Sequence, residues 1–143
     1  RLSTAQEKKD LGITEVADAA TYDSRFYNSD GSAKTLDDTK ETIDGVEYTT
    51  QGVKSVLKAQ EKATAGSLLA KYDWYVVRKV EKSTAIPTAI TAYRDGVRTA
   101  CNTRETEIDN CKDTAALVTL YGSTEKDGVV TPNMTQYPED PNA

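Results

Sequence analysis

From Ile86 to Cys111 the chain keeps a single rhythm. Ile86, Ile90, Tyr93, Val97, Cys101, Arg104, Ile108 and Cys111 follow one another at spacings of 4, 3, 4, 4, 3, 4 and 3, the period of one face of an α-helix. Pro87 sets where that helix begins, because it disfavours the α region at Ile86 while its own fixed φ suits a first helical turn. The spacing predicts a helix from Pro87 to about Asn110, roughly 35 Å long at 1.5 Å per residue. In a chain of 143 residues, a rod of that length leaves room for one domain built against it.

The remaining segments are read around that rod. No proline interrupts Gln51 to Lys71, where Val56, Ala59, Ala63, Gly66 and Ala70 recur at helical spacing. This predicts a second helix whose contact stripe is made of small residues, with Leu57, Leu68 and Leu69 supplying bulk beside it. Asp73 to Glu81 is rich in valine, but neither alternating face is clean, so a short helix N-capped by Asp73 is expected. Asp113 caps a last helix carrying Ala116, Leu117 and Leu120, which Gly122 ends. Thr42 to Tyr48 reads as a small β-hairpin turning on Asp44-Gly45, or equally as a loose insertion. Gly12 to Val16 alternates like an edge strand, and Arg1 to Asp10 reads as a short helix or arm. The fold expected is mainly α: a small helical hairpin or bundle, with short β elements near the N-terminus and extended terminal arms. Residues 1–49 form the first arm, 50–122 the helical core, and 123–143 an extended arm that orders against a partner.

Composition narrows the functions. The net charge is −5 and the isoelectric point about 4.8, which leaves no basic footprint for nucleic acid or an anionic membrane. No run of 18 apolar residues can span a bilayer, and no apolar leader stands near the N-terminus. The chain opens on Arg1 rather than Met, as a processed product or a fragment of something longer would. There is no histidine, the commonest general base and metal ligand at neutral pH. Cys101 and Cys111 on one helix would stand about 15 Å apart, too far for a disulfide, so both are expected as small core residues. Asp37, Asp38, Glu41 and Asp44 fail the calcium-loop pattern, because Thr42 and Tyr48 fall where glycine and glutamate are needed. Asn133-Met134-Thr135 is a weak glycosylation pattern. With no GxSxG, phosphate loop or HExxH, neither a catalytic residue, a metal ligand nor a cofactor site is expected, and the chain is not expected to be an enzyme.

One cluster carries more information. Tyr72-Asp73-Trp74-Tyr75 precedes Tyr93-Arg94 and Arg98, and the lone tryptophan is expected to pack between the two long helices. Arg94 and Arg98, one turn apart, are expected on the solvent side with Asp73 or Glu81 as a carboxylate partner, or one across an interface. Trp, Tyr and Arg dominate both cores and binding hot spots. The candidate core or contact residues are Tyr72, Asp73, Trp74, Val77, Tyr93, Arg94, Val97 and Arg98.

The run Ser67-Leu68-Leu69-Ala70-Lys71-Tyr72-Asp73-Trp74, then Ile86-Pro87, Tyr93-Arg94 and Val97-Arg98, resembles a segment of tail-fibre and tail-associated proteins of tailed bacteriophages and of their fibre-assembly chaperones. The stretch Gly12 to Asp18 with Tyr22 to Tyr27 resembles small virion structural proteins of marine cyanobacterial myophages. Tyr72 stands where that segment usually has threonine, and the Asp44-Gly45 region is extra material. The resemblance implies a non-enzymatic protein of the virion, in the tail, baseplate or fibre-attachment region, present in multiple copies and binding other virion proteins. It leaves open an assembly chaperone absent from the finished particle, and a capsid- or neck-associated accessory protein.

Overall fold

A computed structural model describes Glu7, residues 10–12 and residues 22–142. Among these, four helices and two two-stranded antiparallel sheets account for 48% helix and 16% strand, so the fold is mixed α/β and the mainly-α expectation is corrected. Nor do the helices form a bundle. One antiparallel pair makes the body, and the other helices are appended to it. The edge strand expected at residues 12–16 lies, from residue 13 on, outside the described residues.

Strand β1 (Thr39–Ile43) pairs with β2 (Val46–Thr50) around Asp44 and Gly45, whose φ values of 51° and 79° belong to the left-handed region. A two-residue turn needs positive φ at both positions, and Asp-Gly provides it cheaply; the hairpin reading therefore holds over the loose insertion. Helix α1 (Val53–Ala70) starts directly after β2. Its first amides are satisfied from the loop before β1: Val53 N–H donates to the Thr35 carbonyl and Lys54 N–H to that of Leu36, at 2.9 and 3.0 Å. Gly52 permits this, because a Cβ there would lie 2.4 Å from the Leu36 carbonyl oxygen.

The buried face of α1 is Val53, Leu57, Glu61 and Ala65. The expected stripe of Val56, Ala59, Ala63, Gly66 and Ala70 instead faces solvent. Turning alanines inward removes little apolar area, whereas Leu57 gains on the order of 2 kcal/mol from burial, so the bulkier face wins. Helix α2 (Asp73–Lys82) follows after a two-residue link and ends at Ser83, which takes a left-handed φ of 56°. Helix α3 (Thr88–Asn110) buries Ile90, Tyr93, Val97, Cys101 and Ile108 as its rhythm predicts, with Arg94 and Ala100 added. Helix α4 (Thr114–Leu120) is capped by the Asp113 carboxylate, which accepts from the Ala116 amide at 2.8 Å.

The core has two parts along the α1–α3 pair. At one end Phe26, Val53, Leu57, Ile108, Cys111, Leu117 and Met134 pack together; at the other, Ala65, Tyr72, Ile90, Tyr93, Val97 and Cys101 do so. Both cysteines are buried and free. After α4, strands β3 (Ser123–Lys126) and β4 (Val129–Pro132) form a second hairpin on Asp127-Gly128. Residues 133–142 then run back across the helix pair. The expected partner-dependent arm is thus a strap on its own chain: Met134 is buried in the core and Pro138 lies against Gly96.

Candidate docking site

Polar side chains lock one end and the middle of the body. At one end Arg94, only 8% exposed, donates from Nη1 to the Leu69 carbonyl at 2.9 Å and to Asp73 Oδ1 at 2.8 Å. One guanidinium therefore satisfies an orphan carbonyl of α1 and pins the start of α2. Of the carboxylate partners the sequence left open for Arg94, the structure shows Asp73, but two details differ. Arg94 is buried rather than on the solvent side, and Asp73 is the first helical residue rather than the N-cap, its carboxylate turned toward Arg94.

Farther along, the Glu61 carboxylate on α1 accepts from Arg104 on α3 at 2.7 and 3.0 Å and from the Tyr121 hydroxyl at 3.2 Å; the Tyr137 hydroxyl also donates to it at 3.2 Å. Burial pushes the Glu61 carboxyl upward, but Arg104 and the two hydroxyls overrule it and hold the group below its usual range. Burial raises both tyrosine phenols, chiefly because their anions would be desolvated beside that carboxylate. The strap is tied to this hub and beyond it. Arg104 donates to the Thr135 carbonyl, the Thr135 hydroxyl donates to Glu107, and Asp140 accepts from Lys71 and from the Tyr72 hydroxyl. These bonds lower the Asp140 carboxyl to about 2. The sequence reading missed the hub, although Arg104 standing inside an apolar rhythm was its one visible sign.

The eight candidate residues divide. Tyr72 and Tyr93 are buried, edge to face at 5.5 Å, and Val97 is fully buried. Trp74 is not in the core: it is 51% exposed, lying on Tyr75 at 3.8 Å between ring centroids with the Arg78 guanidinium 4.7 Å from its ring. The aromatic side chains buried at that end of α1 and α3 are Tyr72 and Tyr93, with Tyr75 of α2 partly covered beside them. Val77 and Arg98 also lie on the surface, Arg98 against Asp95 at 3.3 Å.

What this leaves is a helix without a buried face. No residue of α2 is buried, and Trp74, Val76, Val77 and Val80 are exposed along it. The helix is held by its ends, through Tyr72, the Asp73–Arg94 pair and half-buried Ile86, and by the Trp74–Tyr75–Arg78 stack. Beside it a shallow recess of about 250 Å³ is lined by Val76, Ile86, Thr91, Arg94, Asp95 and Arg98. Stacked aromatic and guanidinium groups beside exposed valines form a patch with the composition typical of binding hot spots. Burial raises the thiols of Cys101 and Cys111, which disfavours the nucleophilic thiolate. Among the described residues no three His, Cys, Asp or Glu side chains converge to hold a metal ion. No helix there is long and apolar enough to cross a membrane. Comparison with protein-family models, curated proteins and solved structures finds no match for this chain.

Proposed function

We propose that this chain is a non-enzymatic structural protein of a tailed-phage virion, in the tail, baseplate or fibre-attachment region, which works by docking onto neighbouring proteins. The observation that carries the reading is helix α2, a ten-residue element with no buried side chain and an exposed Trp74–Val77–Val80 surface. A helix of that length is marginal in water by itself, and covering its apolar residues with a partner is the way to gain from them. The run from Leu68 to Trp74 that resembles tail-associated proteins leads into this helix. The indole therefore supports the reading as an exposed contact, not as the buried wedge the sequence suggested. Arg78 over Trp74 and Tyr75 presents a cation–aromatic stack of the kind that concentrates binding energy at interfaces.

The test is quantitative mass spectrometry of purified particles carrying the parent chain or Val80→Asp, with lysates as reference. Stoichiometric recovery of the parent and depletion of the variant, at equal levels of folded protein, is the expected result. Recovery in assembly intermediates but not in finished particles would transfer the assignment to a fibre-assembly chaperone. Recovery with head or neck proteins after tails are detached would make it a head accessory protein. Absence from both particles and intermediates rejects the virion reading.

A further inference from the structure

The docking reading names no neighbour, but two surfaces of this chain complement each other. In hairpin β1–β2 the register pairs Glu41 with Tyr48 and Ile43 with Val46, and paired residues share a face. One face therefore carries Glu41, Ile43, Val46 and Tyr48, while Lys40, Thr42, Glu47 and Thr49 share the other, where Lys40 and Glu47 bridge at 2.8 Å. This is the inside/outside division of a half-buried sheet, yet Ile43, Val46 and Tyr48 are each more than half exposed. An isolated two-stranded sheet needs a covering element to be stable. Hairpin β3–β4 shares the Asp-Gly turn but not this division, because Val129 and Val130 fall on opposite faces.

Charge says what the covering element is. Residues 37–48 hold five acidic side chains and one lysine, whereas residues 71–98 hold six basic and three acidic, in a chain of net charge −5. Among the described residues Lys79 and Lys82 of α2 form no ion pair, while its Asp73 is engaged by Arg94. The dimensions also match, since ten helical residues span about 15 Å and five strand residues about 17 Å.

Resting on the docking reading above, we infer that the neighbour is a second copy of this chain: the apolar face of one copy's β1–β2 hairpin lies on helix α2 of the next, with Glu41 directed toward its lysines. The contact joins two different surfaces, so it is head-to-tail and propagates into a ring or filament. Each contact is small and therefore weak, and it depends on salt because its charges lie at a solvated rim.

Sedimentation velocity on the full chain, combined with the emission of its single tryptophan, tests this from about 1 μM to about 1 mM. The expected result is concentration-dependent association accompanied by a blue shift of Trp74, both weakened by added salt. Glu41→Lys and Lys79→Glu, at exposed positions that leave the thermal melt in place, each weaken association about tenfold. Mixing the two restores it through one reversed pair. A chain that stays monomeric with unshifted emission overturns the inference. So does association that ignores Glu41→Lys, or a mixture that fails to recover. If the chain alone stays monomeric but another virion protein shields Trp74, the second-copy inference falls and the docking reading stands. If self-association occurs but the chain is absent from particles and intermediates, the virion reading falls alone.

Discussion

Helices α2 and α3 are joined by a short link and are similar in overall hydrophobicity, but they have different fates. Helix α3 presses one face onto α1 over its whole length, with Val97 fully buried and Ile90, Tyr93, Cys101 and Ile108 around it. Helix α2 has no fully buried residue, only a partly covered Tyr75 and Arg78, and Val80 is 80% exposed. The difference does not lie in hydrophobic content. It lies in length and covering: the bulky residues of α3 recur on one side along α1, whereas Trp74, Val77 and Val80 share a side of a ten-residue helix that nothing among the described residues buries. Of the large hydrophobic side chains of α2 only Tyr75 is partly covered, against Tyr72 and the cluster that holds Tyr93. A face that recurs along a long partner helix becomes core, and a short apolar side held only at the ends of its helix becomes available surface.

If that contrast is right, the largest loss follows from placing a charge on α3. Val97→Asp puts an unpaired carboxylate into a site with no solvent access, and urea unfolding should show a loss of about 4 kcal/mol or a chain that does not fold. An unfolding free energy within about 1 kcal/mol of the parent would mean that the α3 face is not closed. Next comes the hub. Arg104→Met leaves the buried Glu61 carboxyl without its cation between Tyr121 and Tyr137, a loss of about 3 kcal/mol in the same measurement. The double variant Glu61→Leu/Arg104→Met recovers most of it, because the buried charge is then gone.

These two sites also differ in how far they could be read from sequence. Val97 was legible because leucine-sized side chains at helical spacing carry both a period and an energy. The stripe from Val56 to Ala70 had the period without the energy, and α1 rotated to bury Leu57 and Glu61 instead. The β1–β2 hairpin was legible from Asp44-Gly45, since few dipeptides accept two positive φ values. Trp74 was misread because size predicts the wish to be buried, not whether space remains. The hub and the strap were illegible for another reason. Glu61 meets Arg104 and Tyr137 across long sequence separations, and residues 133–142 contribute single anchors such as Met134, Tyr137 and Asp140 with no period to betray them.

The strap provides a smaller effect with a defined pH window. Asp140 is held at about 2 by Lys71 and the Tyr72 hydroxyl, against roughly 3.9 in an unfolded chain. A carboxyl whose folded pKa is depressed adds stability above its unfolded value and loses it as pH falls through the folded one. The gap in urea midpoint between the parent and Asp140→Asn should therefore be widest near neutral pH and close as pH drops from about 4 to about 2. A gap constant over that interval would show that the carboxylate is not what ties the strap to Tyr72.

The smallest effect is expected on α2, and its smallness is the point. Val80→Ser removes two methyl groups that are already in water, so there is no transfer free energy to lose and no cavity to leave. The change in unfolding free energy should stay within about 0.5 kcal/mol. Trp74→Ala gives up the stack with Tyr75 and Arg78, which at an exposed site is worth about 0.5–1 kcal/mol. A loss of about 2 kcal/mol or more at Val80 would require it to be covered in the free chain, and α2 would then be core rather than a surface kept open. With the expected result, Val80 and Val97 stand on adjoining helices as the same residue type under opposite constraints. One is kept apolar by what surrounds it in this chain, and the other, on the docking proposal, by what it meets outside it.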